Sequence, residues 1–129
     1  MTTERPAIAG VGQISLGIRD VERAVAFYRD TLGLPHLFTF GTLAFFDCAG
    51  VRLFLAVPED GTWRPSSVVY FRVPDIAAAH RALAARGVAF EAAPHLIHRH
   101  DSGLEEWMAF FHDPDGNVLG LMSQVPPPA

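Results

Sequence analysis

From Gln13 to Ile18 apolar residues alternate with polar or small ones. Ile14, Leu16 and Ile18 fall on one face, and Gln13, Ser15 and Gly17 on the other. A period of two predicts a β-strand with one buried face. After Asp20 the period lengthens. Val21, Ala24, Val25, Tyr28 and Leu32 recur at steps of three and four, which predicts a helix with one apolar stripe. Asp20 is placed to cap its N-terminus, and Gly33 to end it in the left-handed conformation. Short strands are predicted next over 37–40, 43–46 and 51–56, with turns at Gly41 and Ala49-Gly50.

The same order then recurs. A polar, turn-rich stretch, 58–67, precedes an apolar strand from Val68 to Val73. Asp75 opens a helix whose stripe is Ile76, Ala79 and Leu83, and Gly87 closes it. Strands are predicted at 88–90, 106–111 and 117–122. The turn Asp113-Pro114-Asp115-Gly116 joins the last two. Asp20 and Asp75 hold matching places 55 positions apart (75 − 20). Self-similarity on that scale predicts one βαβββ unit used twice. The expected fold class is α+β. The expected organisation is a single domain, 1–129, with module one at about 8–57, a linker at 58–67, module two at about 68–123 and a disordered tail at 124–129.

Composition narrows the partners. A chain of 129 residues, half of them apolar, can bury a sizeable core. A net charge of −4 argues against nucleic acid, which needs a basic patch to displace counterions. No apolar run reaches the roughly 20 residues that span a bilayer. Residues 1–6 lack the apolar core of a signal peptide. A cytoplasmic location is the expectation. Cys48 is the only cysteine, so neither an intrachain disulfide nor a Cys-rich metal site can form. It has no adjacent base to make it a nucleophile. No Ser-His-Asp arrangement or phosphate loop is present either.

Two segments carry a family resemblance: Ala26-Phe-Tyr-Arg-Asp-Thr-Leu-Gly-Leu34 and the hairpin Phe110-Phe-His-Asp-Pro-Asp-Gly-Asn-Val-Leu119. With the repeat around them, the chain from about Ile8 to Ser123 resembles the vicinal oxygen chelate superfamily. That superfamily includes glyoxalase I, extradiol dioxygenases and the bleomycin-resistance proteins. The resemblance implies two βαβββ modules forming an open, barrel-like cup with helices outside. It also implies that metal ligands, where the family has them, come from the first and last strands of each module. The matching positions here are Gln13, Phe54, Val68 and Gly120. Phe and Val offer no donor, Gly only backbone, and Gln a neutral amide, so this set is a degenerate metal site. No metal and no cofactor is expected.

Alternation extends the lining of the cup. Ser15 shares the face of Gln13, Arg52 that of Phe54, and Tyr70 and Arg72 that of Val68. Trp107 adds an aromatic ring, and Gly120 leaves room where a side chain would stand. Each residue also has a plainer role open to it. Gln13 can satisfy a backbone group, Arg52 and Arg72 can reach solvent at the rim, and Tyr70 can be core. His95, His98 and His100, with Glu105 and Glu106, are the one pool of metal donors outside the matching positions. The resemblance places them in a connection between strands two and three of module two. Two function classes follow. One is a small-molecule-binding protein whose ligand has an aromatic body and an anionic group to meet Arg52 and Arg72. The other is an enzyme of lyase, isomerase or dioxygenase type with a non-standard metal site or none. No catalytic residue is assigned. A homodimer is expected, with the cup formed either within one chain or across two.

Overall fold

The structure is a computed structural model and describes residues 5–128. Met1 to Glu4, ahead of the expected first module, and Ala129, the end of the expected tail, lie outside the described residues. Module one contains β1 (Gln13–Gly17), α1 (Val21–Val25), β2 (His36–Phe40), β3 (Leu43–Cys48) and β4 (Val51–Ala56). Module two contains β5 (Val69–Arg72), α2 (Ile76–Ala85), β6 (His95–Arg99), β7 (Glu105–His112) and β8 (Val118–Val125). The sheet orders are β1-β4-β3-β2 and β5-β8-β7-β6. In each, the first strand runs parallel to the last and the remaining pairs are antiparallel. The expected α+β fold of two βαβββ units is present, and neither sheet closes into a barrel.

The helix starts follow from their caps. The Asp20 carboxylate accepts from Arg23 N at 3.1 Å, and the Asp75 carboxylate from Ala78 N at 3.1 Å. Each satisfies one backbone donor that the first helical turn leaves free. Past Val25 the first helix widens into a π-helix, Ala26–Thr31, in which Leu32 N reaches back to Phe27 O at 2.9 Å. The wider turn aims two successive rings inward. Tyr28 packs on Phe46 of its own module, while Phe27 reaches Phe111 of module two. Gly33 then takes φ +78°, the left-handed turn anticipated for it.

The buried faces of both sheets belong to one hydrophobic cluster. Leu16, Phe46, Leu53 and Leu55 line it from module one, and Ala109, Phe111, Leu119 and Leu121 from module two. A polar network ties the modules at one end. The Tyr28 hydroxyl donates to Asp113 at 2.8 Å, Asn117 Nδ2 donates to Gly17 O at 2.7 Å, and Arg23 meets Asp115 at 2.6 Å. The stretch 58–67 is strapped over the same end. Trp63 Nε1 donates to Gly17 O at 2.9 Å, Ser66 Oγ accepts from Gly17 N at 3.0 Å, and the Arg19 guanidinium lies 4.4 Å from the Trp63 ring centroid.

Two expectations need correction. Val88 to Phe90 is not a strand. It contributes one bridge, Phe90 to Phe111, and Val88 is buried, its N–H donating to Leu83 O at the end of α2 at 3.1 Å. The strand in that place is His95–Arg99, where the resemblance implies a connecting segment. It pairs with β7 although all five of its side chains are exposed. The last strand also runs to Val125, so Gln124 and Val125 belong to the sheet and not to a tail.

Candidate functional site

The face of each sheet turned away from the core is open to solvent. In module one, register places Gln13 beside Arg52 and Ser15 beside Phe54, on the side opposite the buried Leu53 and Leu55. Phe45 pairs with Phe54 across one strand boundary and with Phe38 across the next. The three rings form a ladder. Phe38 and Phe45 stack at 4.4 Å and 26°, and Phe45 and Phe54 at 4.8 Å and 19°. Offset stacking at such separations suits the aromatic quadrupoles. The Arg52 guanidinium sits 5.6 Å from the Phe45 centroid, within cation–π reach. Arg52 therefore stands on the aromatic surface. The sequence supplied Arg52 and Phe54 but missed Phe38 and Phe45. Their signal was available, because the short turn at Gly41 fixes the register of two alternating strands and sets those two rings opposite each other.

In module two, Tyr70 pairs with Gly120, and Arg72 with Met122. Val68 precedes the strand in phase with Tyr70. Val68 is 38% and Tyr70 45% exposed, so Tyr70 is not core. Gly120 does not open room as expected. A Cβ there would come within 2.9 Å of the Tyr70 ring and 3.2 Å of the Phe110 ring. These two rings, T-shaped at 5.8 Å, already fill the space above the glycine. Trp107 also departs from its expected place. It pairs with Ser123 and packs against the core, one residue out of phase with Phe110, and its Nε1 donates to Glu105 at 3.0 Å. Gln13, Ser15, Arg52 and Phe54 are thus gathered on one sheet face, and Val68, Tyr70, Arg72 and Gly120 on the other. Among the described residues no hydrogen bond or ring contact joins the two sets.

The metal positions implied by the resemblance hold Gln13, Phe54, Val68 and Gly120. One side-chain amide among two hydrocarbon side chains and a glycine does not fit a divalent ion. The histidine cluster is organised differently. The His98 and His100 rings meet edge to face at 4.6 Å, and His100 Nε2 lies 2.8 Å from Glu106 Oε2. His100 and Gln124 both bond Glu106, and together they hold its carboxyl below the usual carboxylate range. Glu105 is lowered as well, by Trp107 and then Arg99. These contacts consume the carboxylates in pairing, and among the described residues no group of three or more His, Cys, Asp and Glu is arranged to hold a metal ion. Burial, with Asp47 adding to it, raises the Cys48 thiol and so lowers its thiolate fraction at neutral pH.

Residues 10–121 match the family described as the glyoxalase/bleomycin resistance protein/dioxygenase superfamily. The chain belongs to this superfamily. The uncharacterized protein YraH of Bacillus subtilis (strain 168) is 28% identical over 131 residues, 88% of this chain and 97% of that protein. Among solved structures, TnmS3, an antibiotic binding protein from a Streptomyces species, is 27% identical with a TM-score of 0.76. The match covers 94% of this chain and 100% of TnmS3. Lactoylglutathione lyase from Agrobacterium tumefaciens has a TM-score of 0.71 at 23% identity, over 92% of this chain and 96% of its own. That likeness is one of fold. The superfamily therefore holds both chemistry and plain binding, and fold membership does not choose between them. Among the described residues no helix is long and apolar enough to cross a membrane.

Proposed function

We propose that this superfamily member is a small-molecule-binding protein and that its ligand is planar, aromatic and anionic. The observation that carries the reading is the Phe38–Phe45–Phe54 ladder with Arg52 on its surface. An aromatic body extends such a ladder by stacking, and the guanidinium offers two parallel donors to a carboxylate. Gln13 and Ser15 supply neutral hydrogen bonds from the neighbouring strand. The Tyr70–Phe110 pair, with Val68 and Arg72, forms a second apolar and cationic surface in module two. That TnmS3 is an antibiotic binding protein supports a binding role, and so does the lack of donors at the metal positions.

The working form is a homodimer in which the open face of module one meets the open face of module two from a second chain. Both faces carry large exposed apolar groups, Phe38 and Phe40 on one and Tyr70 on the other. Patches of that kind mark binding surfaces. The test is a thermal-shift and calorimetric screen of polycyclic aromatic acids against their neutral amides. Acids should bind tighter by about 1.5–3 kcal/mol, the range for a hydrogen bond to a charged group. Phe54→Ala should weaken both series and Arg52→Ala only the acids. Equal binding of both series, unchanged by either substitution, refutes the reading.

A further inference from the structure

Because the modules repeat, the contact between them has two seams built of matching parts. Alignment on the Asp caps pairs Gly17 with Arg72 and Tyr28 with Leu83. Alignment on the hairpin glycines, Gly50 and Gly116, pairs Asp47 with Asp113, Ala49 with Asp115 and Val51 with Asn117. The first seam is latched by the buried network of Tyr28, Asp113, Asn117 and Asp115. In the second seam the polar groups are replaced on both sides at once: Leu83 stands where Tyr28 would, and Ala49 and Val51 where Asp115 and Asn117 would. Asp47 remains, but it turns back to accept from Gly50 N at 3.1 Å within its own hairpin.

A latch lost on both sides leaves an opening, and the structure has one. Ala49, Val51, Ala79, Leu83 and Leu121 line a groove of about 610 Å³ between the modules. That volume lies in the range of small-ligand sites. The charged residues lining it are Arg52, Arg72 and Arg86, and none is acidic. Arg86 is held across the seam by donating Nη1 to Thr31 O at 2.9 Å, and among the described residues its other donors have no partner. The groove borders the core side of the sheets. Its apolar floor, Leu53, Val69, Phe71 and Leu121, is out of phase with the open faces, whereas Arg52, Tyr70 and Arg72 of those faces line its border.

We propose that this unlatched seam is a second binding site, distinct in its apolar floor from the aromatic face and sharing only the bordering Arg52, Tyr70 and Arg72 with the open faces, and that it takes an amphipathic carboxylate. The hydrocarbon body replaces the missing packing between the modules, and the carboxylate pairs with Arg86 at the mouth. Apolar lining with wholly cationic charge selects this chemistry over a neutral lipid or a cation.

Cys48 lines the groove and reports on its occupancy. The full chain is alkylated with iodoacetamide at pH 9, alone, with decanoate and with decanol, and binding is followed in parallel by calorimetry. At ten times its Kd, decanoate should slow Cys48 alkylation about tenfold, and decanol should protect far less. Ala82→Trp, at an exposed helix position lining the groove, should abolish decanoate binding by filling the space. Arg86→Ala should weaken binding about tenfold, the loss of roughly one ion pair. Equal protection by decanoate and decanol overturns the proposal. Binding that survives Ala82→Trp but is lost in Phe54→Ala places decanoate on the ladder face and also overturns it. So does dissociation of a dimer by decanoate in sedimentation, because the groove would then be an interface between chains. Failure of the aromatic-acid screen leaves these readouts unaffected.

Discussion

Tyr28→Phe removes one oxygen and leaves the packed ring. The ring keeps its contacts with Phe27 and Phe46, and no cavity forms. What is lost is the donor to Asp113 Oδ2 at 2.8 Å, in a site where both residues are buried. A hydrogen bond to a charged acceptor contributes about 1.5–3 kcal/mol. Asp113 retains its other donors: Asp115 N and Asn117 N on Oδ1, and Asn117 Nδ2 on Oδ2. Its carboxylate is weakened but not orphaned, so the expected loss is about 2 kcal/mol. Urea unfolding at pH 8 should show the midpoint falling with an unchanged slope, the signature of lost stability alone.

The same residue adds a pH signature. Burial first, and then Asp113, pushes the Tyr28 hydroxyl far above its usual range. The unfolded chain releases that proton near pH 10, while the folded chain keeps it. The contribution is therefore fully present below about pH 10 and is lost as pH rises, at about 1.4 kcal/mol per unit. The stability gap between wild type and Tyr28→Phe should shrink by about 1 kcal/mol from pH 10 to 11, and by the full slope only above that. A variant within about 0.5 kcal/mol of wild type at pH 8, or a gap constant across the alkaline range, refutes this account.

Asp75→Ala should cost about 1 kcal/mol through the lost bond to Ala78 N, and Asp75→Asn much less, read from thermal midpoints. Gly120→Ala should displace the Tyr70 and Phe110 rings that lie within 2.9–3.2 Å of the added carbon. Overpacking of this kind costs about 1–3 kcal/mol, toward the low end here because Tyr70 is half-exposed, and denaturant unfolding would measure it. Chelator treatment should leave the melting temperature unchanged. A drop that one divalent metal reverses would redirect attention to His98, His100 and Glu106.

The duplicated architecture was legible because it rests on local signals. Two Asp caps, two periodic stripes and two hairpin glycines recur in the same order, and each found its place. The sixth strand was illegible for a physical reason. His95–Arg99 is an edge strand exposed on both faces, so it needs no apolar alternation, whereas the apolar Val88 is buried and Phe90 partly buried without forming a ladder. The π turn was hidden as well. One inserted residue shifts a stripe by less than the stripe's own width. The site was half legible: alternation found which residues share a face. It could not show that Tyr70 and Phe110 fill the space above Gly120, although Trp107 and Phe110, three positions apart on one strand, are already set on opposite faces. Nor could it show the unlatched seam, whose evidence is the joint absence of polar groups at positions paired only by folding.

The outer edges of the two sheets differ in a way that bears on aggregation. β2 and β6 hold equivalent outermost places, each with one row of backbone groups unpaired among the described residues. β6 carries Arg99 and two histidines, and charge on an edge resists addition of a foreign strand. β2 carries Leu37, Phe38 and Phe40, the last 75% exposed, and no Asp, Glu, Lys or Arg. A chain without a partner therefore presents one guarded edge and one adhesive edge. On heating or dilution, fibrillar growth should begin at β2. A lysine in place of Phe40 should suppress it, while the same residue introduced at Ile97 of β6 should change little.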